Sequence, residues 1–333
     1  MPLIEIFDAD RARGMRRKPH LILTVIDEGP SPRGSTYWGR VQHCGREHLL
    51  SNKLGWRSLE PSDPLDTGLI WHACLEAFYR ERLEGQREMI RALGREEALR
   101  RPEFFTARER EAQTAAFDVL LPFRDEPGYD LIFTKIEKML GVYFSLYRFD
   151  RWEILAVEQT LSAWDVEYTS KLDLIIIDHG IPDSPVLRGV EHKSAFRLTL
   201  DVLEGYMMDS QVLGQLYLLY RTFANNPALP PFAGSIVNIA SKEHTPKLER
   251  VFVAPDLVHL RSWEEHILVQ AEHRQFHEAR GYGRNYGSCS RRFGRCEHFN
   301  FCKSFPFLTV EQIASNPPPD SYEVRPYSDK VLP

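Results

Sequence analysis

The feature that most constrains this sequence is a pair of strand-like runs with charged residues at matched places, joined by one turn. Leu172 and Asp173 lead into Leu174-Ile175-Ile176-Ile177, a run apolar and β-branched enough to be a buried strand. Gly180, Pro182, Asp183 and Pro185 then supply a turn. A second strand is predicted from Val186 to Phe196, with Glu191, His192 and Lys193 in its middle. Side chains alternate across a strand, so Glu191 and Lys193 share one face and His192 takes the other. In a hairpin, Asp173 meets the face of Glu191 and Lys193. An isolated Glu-x-Lys is usually a surface ion pair. An aspartate at the end of the preceding buried strand changes that reading, because two carboxylates suit Mg²⁺ or Mn²⁺, hard ions that keep water for use as a nucleophile. A lysine beside them can orient or help deprotonate that water and stabilise charge growing on phosphorus. Hydrolysis of a phosphodiester needs this combination.

The remaining sequence sets the bounds. The chain has 333 residues, 43% of them hydrophobic and 11% aromatic, enough to fill a core. No apolar run approaches the ~20 residues that span a bilayer, and Met1 to Asp10 contains no signal-peptide core, so a cytoplasmic protein without membrane contact is expected. A net charge of −5 gives no global signal for nucleic acid and leaves only local basic patches, such as Arg11 to Lys18, to bind it.

Before the paired strands the pattern is largely helical. A short strand is expected at Leu21 to Ile26, a loop at Pro30, Pro32 and Gly34, and a helix from Ser35-Thr36 through Tyr37-Trp38 to Leu54 that carries Cys44. A strong helix is expected from Leu69 to Leu83, with His72 in its first turns and Cys74 and Phe78 toward the core. Residues 84–112 read as a solvated helical insertion interrupted at Gly85 and Gly94. Ile154 to Leu161, carrying Glu158, reads as the first core strand. After the hairpin, Asp209 to Phe223 is an apolar helix in which Gln211 and Gln215, four apart, share a side and need partners. Two further strands, Ser235 to Ala240 and Leu248 to Ala254, and a long helix to about Gly281 follow.

Five cysteines, an odd number, argue against a disulfide framework. Cys289, Cys296 and Cys302 fall close together among basic and aromatic residues, a density that favours thiolate ligation of a metal. The fourth ligand comes from Cys44 or Cys74, and Cys44 is the better candidate because Cys74 fits an apolar helical face. Four thiolates hold a [4Fe–4S] cluster or Zn²⁺.

Taken in order, Cys44, His72, Glu158, Asp173, Glu191-x-Lys193, Gln211 and three further cysteines resemble PD-(D/E)XK nucleases of the RecB-like, iron–sulfur branch, from about Tyr37 to Lys303. The relatives it resembles are exonucleases of CRISPR adaptation, nuclease domains of bacterial recombination helicases and phage proteins. The resemblance implies Asp173, Glu191, Lys193 and Gln211 as catalytic residues. It implies His72, Asp173, Glu191 and the backbone carbonyl of His192 as ligands of Mg²⁺ or Mn²⁺, and Cys44, Cys289, Cys296 and Cys302 as ligands of a structural [4Fe–4S] cluster. Two positions depart from the family pattern. Leu172 replaces the usual proline before Asp173, and Gln215 stands where an aromatic usually follows the glutamine, with Tyr217 as a substitute. Glu158, Gln215 and Tyr217 are accessory candidates.

The expectation is therefore an α/β, restriction-endonuclease-like fold: a central mixed sheet flanked by helices, plus an N-terminal helical lobe. Residues 1–150 form the N-terminal segment and lobe, 151–256 the nuclease core, and 257–333 a C-terminal helix and cysteine segment closing back on the lobe as one integrated domain. The expected function is a metal-dependent DNA exonuclease, acting on single strands or free ends in recombination, repair or phage DNA processing. The alternative is a non-catalytic DNA-binding or adaptor protein that keeps the fold.

Overall fold

The computed structural model describes residues 33–59, 63–181, 183–254, 256–291 and 294–324. The basic segment Arg11 to Lys18 and the strand expected at Leu21 to Ile26 lie outside the described residues. In chain order the main elements are α1 (Ser35–His43), β1 (Trp56–Ser58), α2 (Asp63–Leu93), α3 (Glu109–Leu120), α4 (Asp130–Leu146), β2 (Trp152–Ala163), β3 (Tyr168–Asp178), β4 (Val186–Ala195), α5 (Leu200–Gly205), α6 (Ser210–Phe223), β5 (Phe232–Ser241), β6 (Leu248–Val253), α7 (Leu257–Ala279), α8 (Phe299–Ser304), α9 (Val310–Ala314) and β7 (Tyr322–Val324). They fall into two compact units. Among the described residues the larger unit comprises Asp63–Leu161 and Lys171–Asp256, and the smaller is gathered from residues 33–59, Ser162–Ser170 and 257–324.

The larger unit is built on a five-stranded sheet of order β2-β3-β4-β5-β6. β3 and β4 form the expected antiparallel hairpin, with Leu174 opposite Val190 and Asp178 opposite Val186. β4 and β5 run parallel, with α6 in the connection between them, and β6 returns antiparallel to β5. The sheet is therefore mixed and flanked by helices, the restriction-endonuclease-like α/β arrangement. One face packs Ile154, Leu174, Ile176, Val190 and Ile236 against Trp71, Leu75 and Phe78 of α2 and Ile136, Met139 and Leu140 of α4. The other packs Leu172, Ile175, Ile177 and Leu187 against Leu219 and Phe223 of α6. Gly189 lets α6 approach β4 closely, since a Cβ there would meet Leu219 Cδ1 at 2.6 Å and Ser235 Oγ at 2.7 Å. This contact fixes the height at which α6 presents its polar side chains to the sheet.

Two helical expectations need correction. The helix predicted to stop at Leu83 runs through Gly85 to Leu93, and only Gly94, with φ of +78°, ends it. The segment after it is not a solvated insertion, because Gln86, Ala98, Phe104, Phe105 and Ala112 are buried. Gln86 serves strand β2 as a neighbouring strand would. Its Nε2 donates to the Trp152 carbonyl at 2.7 Å and its Oε1 accepts from the Ile154 N–H at 2.8 Å, which satisfies edge groups that otherwise need another chain.

In the smaller unit the helix expected from Ser35 to Leu54 breaks at Cys44, whose backbone is extended (φ −164°, ψ 125°). Gly45 follows, and a Cβ on it would lie 2.6 Å from His277 Nδ1 and 2.9 Å from the Gly283 carbonyl, so chain crowding at this point selects glycine. A core of Leu50, Trp56, Phe301, Ile313 and Tyr322 gathers α8, α9 and the β1–β7 ladder.

Candidate active site

The β3–β4 hairpin comes apart where its charges are. The register runs regularly from Asp178–Val186 to Leu174–Val190, and the next positions would set Asp173 opposite Glu191 and Leu172 opposite His192. There the Asp173 carboxylate intervenes: Oδ2 accepts the His192 N–H at 2.6 Å in place of a main-chain carbonyl. An aspartate side chain thus closes the ladder, and the two strands open by one carboxylate at the point where both acidic residues stand.

The surrounding elements add donors. His72 of α2 lies with Nδ1 3.3 Å from Asp173 Oδ2. Lys193 Nζ donates to Glu191 Oε1 at 2.5 Å and to Gln211 Oε1 at 2.9 Å. Gln211 Nε2 returns a bond to Glu191 Oε1 at 2.8 Å. Asp209 caps α6 by accepting from the Gln211 and Val212 N–H groups, which fixes the helix start beside Lys193. Gln215, 2% exposed, donates to Glu191 Oε2 at 2.7 Å. The Tyr217 hydroxyl accepts from Arg221, one turn along α6.

Of a second ring of residues, the sequence offers Glu158 as an accessory candidate and does not single out Lys171, Glu76 or Tyr206. Glu158 has a left-handed backbone (φ +53°) within β2 and pairs with Lys171 Nζ at 2.6 Å. Glu76 acts on both electrostatically. Glu76 is four residues beyond His72 on α2, so a helical-face argument reaches it. Tyr206, next to α6, is close enough to Lys193 and Glu191 for their charges to act on its phenol.

Burial and mutual repulsion set the charges. Burial opposes ionisation of Asp173, yet His72 and the His192 N–H outweigh it and hold the carboxyl well below its usual range. The cost falls on its neighbours. Burial and the Asp173 charge push Glu191 up against the pull of Lys193, and push Glu158 up to about 7 against the pull of Lys171. Burial also works against the His72 charge, but Asp173 and Glu191 prevail and raise it. Burial takes His192 down to about 3, so it is a neutral ring packed on Tyr79. For Lys193, burial is overcome by Glu191, and the amine stays a firm ammonium. Proton abstraction by Lys193, one of the roles expected for it, does not fit this state; donation and charge stabilisation do.

Three carboxylates that raise or resist one another's ionisation in a buried pocket, with an imidazole beside them, form a donor set suited to a divalent cation. Among the described residues, however, no group of three or more His, Cys, Asp or Glu side chains is drawn together tightly enough to hold a metal ion as it stands. Both oxygens of Glu191 and one of Asp173 accept from protein donors.

The cysteines separate as their surroundings dictate. Cys74 is fully buried among apolar side chains, and burial pushes its thiol above the ordinary range. Cys44, Cys289, Cys296 and Cys302 are half-buried in the smaller unit. Cys44 Sγ accepts the Asn285 N–H at 3.3 Å, and the Cys296 N–H donates to the Cys289 carbonyl at 3.1 Å. Burial raises the Cys302 thiol, with Arg284 and Arg46 opposing and Cys44 and Cys289 adding to it. Arg46 is buried and repelled by Arg284, and both leave Nε without a partner. Their other contacts are main-chain carbonyls at Leu308, Pro306 and Phe305, and among the described residues neither is paired with a carboxylate. Two uncompensated guanidinium groups beside the thiols suit anionic sulfur.

Comparison with known proteins fits this geometry. A search of curated proteins finds no match. The fold is similar to the crystal structure of a candidate exonuclease from Eubacterium rectale, with 11% identity, a TM-score of 0.45, and coverage of 89% of this chain and 96% of that one. So loose a superposition carries no weight by itself. The sequence model of the PD-(D/E)XK nuclease superfamily, in contrast, matches residues 39–303, most of the chain and all of the residues gathered at the opened hairpin. With that span of sequence matched, this chain belongs to the PD-(D/E)XK nuclease superfamily.

Proposed function

We propose that this protein is a metal-dependent deoxyribonuclease whose active centre is the opened end of the β3–β4 hairpin. The observation that carries the reading is the closed set Glu191–Lys193–Gln211, facing Asp173 across the split ladder. Asp173, Glu191, His72 and the His192 carbonyl would hold Mg²⁺ or Mn²⁺, which when bound supplies a Lewis acid and an activated water. The chain's own groups do the rest. The Lys193 ammonium donates toward the phosphate oxygens and stabilises charge that grows there. Gln211 fixes both Lys193 and Glu191, so neither swings away as the phosphate arrives. Cys44, Cys289, Cys296 and Cys302 would hold a [4Fe–4S] cluster, with Zn²⁺ as the alternative, and Arg46 and Arg284 would balance its negative charge.

The test is cleavage of end-labelled single- and double-stranded DNA by protein purified without oxygen. Mg²⁺, Mn²⁺ and EDTA are compared, with Lys193→Ala alongside. Metal-dependent cleavage lost in the variant supports the reading, and the product ladder reports whether free single-stranded ends are the substrate. Equal traces in both proteins indicate contamination, and silence from folded protein favours a binding protein that keeps the fold. Iron and sulfide content distinguish the cluster from zinc.

A further inference from the structure

The stretch from Phe196 to Met208 leaves the active site and returns to it. It starts just after Lys193 and ends at Asp209, whose carboxylate caps the helix that carries Gln211. Its apolar side chains are not folded inward. Phe196 is 74% exposed, Leu200 67%, Met207 50% and Met208 67%, and neither α5 nor the turn at Tyr206–Met208 has a buried residue. Single apolar residues on a surface need no explanation, but a group of them in one short connection beside a buried polar site does. Tyr206 ties the stretch to that site: burial pushes its phenol up, and the charges of Lys193, Asp209 and Glu191 all reach it.

One end of the stretch is basic. The Arg197 guanidinium lies 5.6 Å from the centre of the Phe196 ring, and its nearest approach to Glu243, 3.8 Å, is too long for a hydrogen bond. The Lys242 N–H donates to the Ala195 carbonyl at 2.8 Å, which sets that residue beside Phe196. Burial and the charge of Lys135 on α4 both push the Lys242 ammonium down, so two lysines share this corner. The acidic Asp201 and Glu204 stand away from it, on α5.

Building on the nuclease reading, we propose that Phe196, Leu200, Met207 and Met208 form a platform for the bases of an unpaired DNA strand, with Arg197 and Lys242 along its phosphates. Two observations select this occupant. The platform is joined to the active site at both ends, so a strand held at Lys193 runs beside it. It also sets apolar surface next to cations, the pairing that a single strand matches with its base faces and its phosphates. In a duplex the base faces are stacked inside, and only phosphates and groove edges are offered. Aromatic and thioether side chains accept any base, since every base has an apolar face, so the platform selects unpaired strands without reading their sequence.

The experiment measures binding in EDTA by the full chain, followed by fluorescence anisotropy, so that it does not depend on cleavage. The probes are a labelled oligothymidylate, the same strand with a run of abasic sites, and a blunt hairpin duplex. Wild type is compared with Phe196→Ala and with the double variant Met207→Ser/Met208→Ser, each checked by Tm. Wild type is expected to bind the thymidylate strand about tenfold or more tighter than the duplex, and each variant to lose about tenfold on that strand with duplex binding little changed. The abasic strand should bind wild type as weakly as the full strand binds the variants, and the variants should lose little more on it. A merely structural role lowers binding of all three probes together. Unchanged strand binding in both variants, or a wild type that does not tell strand from duplex, overturns the platform; metal-dependent cleavage by the same protein then leaves the nuclease reading standing. Strand-selective binding lost in the variants, by a wild type that cleaves nothing with Mg²⁺ or Mn²⁺, keeps the platform and overturns the nuclease reading. A dimer in sedimentation that both variants dissociate, with strand binding intact, gives the face to a second copy of the chain and overturns the proposal. If one variant does not fold, the other carries the comparison.

Discussion

Lys193 and Gln211 hold each other as well as Glu191: the lysine donates to the amide oxygen at 2.9 Å while the amide nitrogen donates to the carboxylate that the lysine also binds. Each of the three is fixed by the other two, so a polar network inside a buried pocket has a single arrangement. Gln211→Ala breaks this closure and leaves Glu191 with fewer donors. The expected outcome is a fall in kcat of about 10²-fold, the scale seen when one oriented donor is lost, with KM for DNA nearly unchanged. Steady-state kinetics on a defined oligonucleotide check it, and a loss confined to KM would show that Gln211 binds rather than orients.

Asp173 raises both Glu191 and Glu158 toward their neutral forms. Asp173→Asn keeps an acceptor for the His192 N–H and removes the charge. In EDTA its Tm should equal or exceed that of wild type, because a charge that adds to burial in opposing ionisation of two neighbours is gone, while cleavage and metal-induced stabilisation disappear. Thermal scans with and without Mg²⁺ separate the two effects; a large drop in Tm in EDTA would contradict the electrostatic account.

Gln86 satisfies two main-chain groups at the edge of β2. Gln86→Leu keeps bulk and strands a buried carbonyl and a buried N–H. Each unsatisfied group costs ~1–3 kcal/mol, so a loss of about 3 kcal/mol in urea unfolding is expected. A loss below the error of the measurement would mean that water replaces the amide.

The smaller unit should be sensitive to mild acid. His48 is fully buried, its Nε2 has no partner, and burial with the nearby Lys53 takes its pKa down to about 3 from 6.5. Below pH 6.5 the unfolded chain takes up this proton while the folded one does not. Stability is therefore full above about pH 6.5 and declines as pH falls toward 3, by on the order of 2 kcal/mol at pH 4.5. Glu297 acts at lower pH. Against its burial, His298, Arg40 and Ser51 hold it down to about 2, so its contribution is complete above its ordinary value near 4.5 and fades as pH drops to 2. Denaturant titrations at pH 7.5, 6.0 and 4.5 should show the slope between the first and last reduced in His48→Gln. Parallel curves for variant and wild type would count against His48.

The hairpin was legible because strand alternation, β-branching and a Gly/Pro turn all point the same way, and together they place Asp173, Glu191 and Lys193. His72 and Gln211 were placed by family resemblance; a lone histidine or glutamine on a helix has no pattern of its own. Gln215 looked like a departure from that family, and only the packing of α6 on Gly189 shows what it reaches. The role of Gln86 was invisible, since a side chain that completes a strand 66 residues away leaves no periodic trace. The break at Cys44 was missed for a related reason. The sequence around it is compatible with helix, and the His277 and Gly283 groups that crowd Gly45 just after the break come from the far end of the chain.

The smaller unit draws on chain from both sides of the larger one, and Trp56 and Leu50 rest on Phe301, Ile313 and Tyr322. A ribosome emits the first of these residues long before the last. During synthesis the larger unit can fold while the early half of the smaller one waits with its tryptophan and leucine uncovered, a window in which chaperones hold the advantage over aggregation. The thiols share that schedule. Cys44 emerges about 250 residues before Cys289, Cys296 and Cys302, so its contacts with Gly283 and Asn285 can form only once nearly all of the chain has been made.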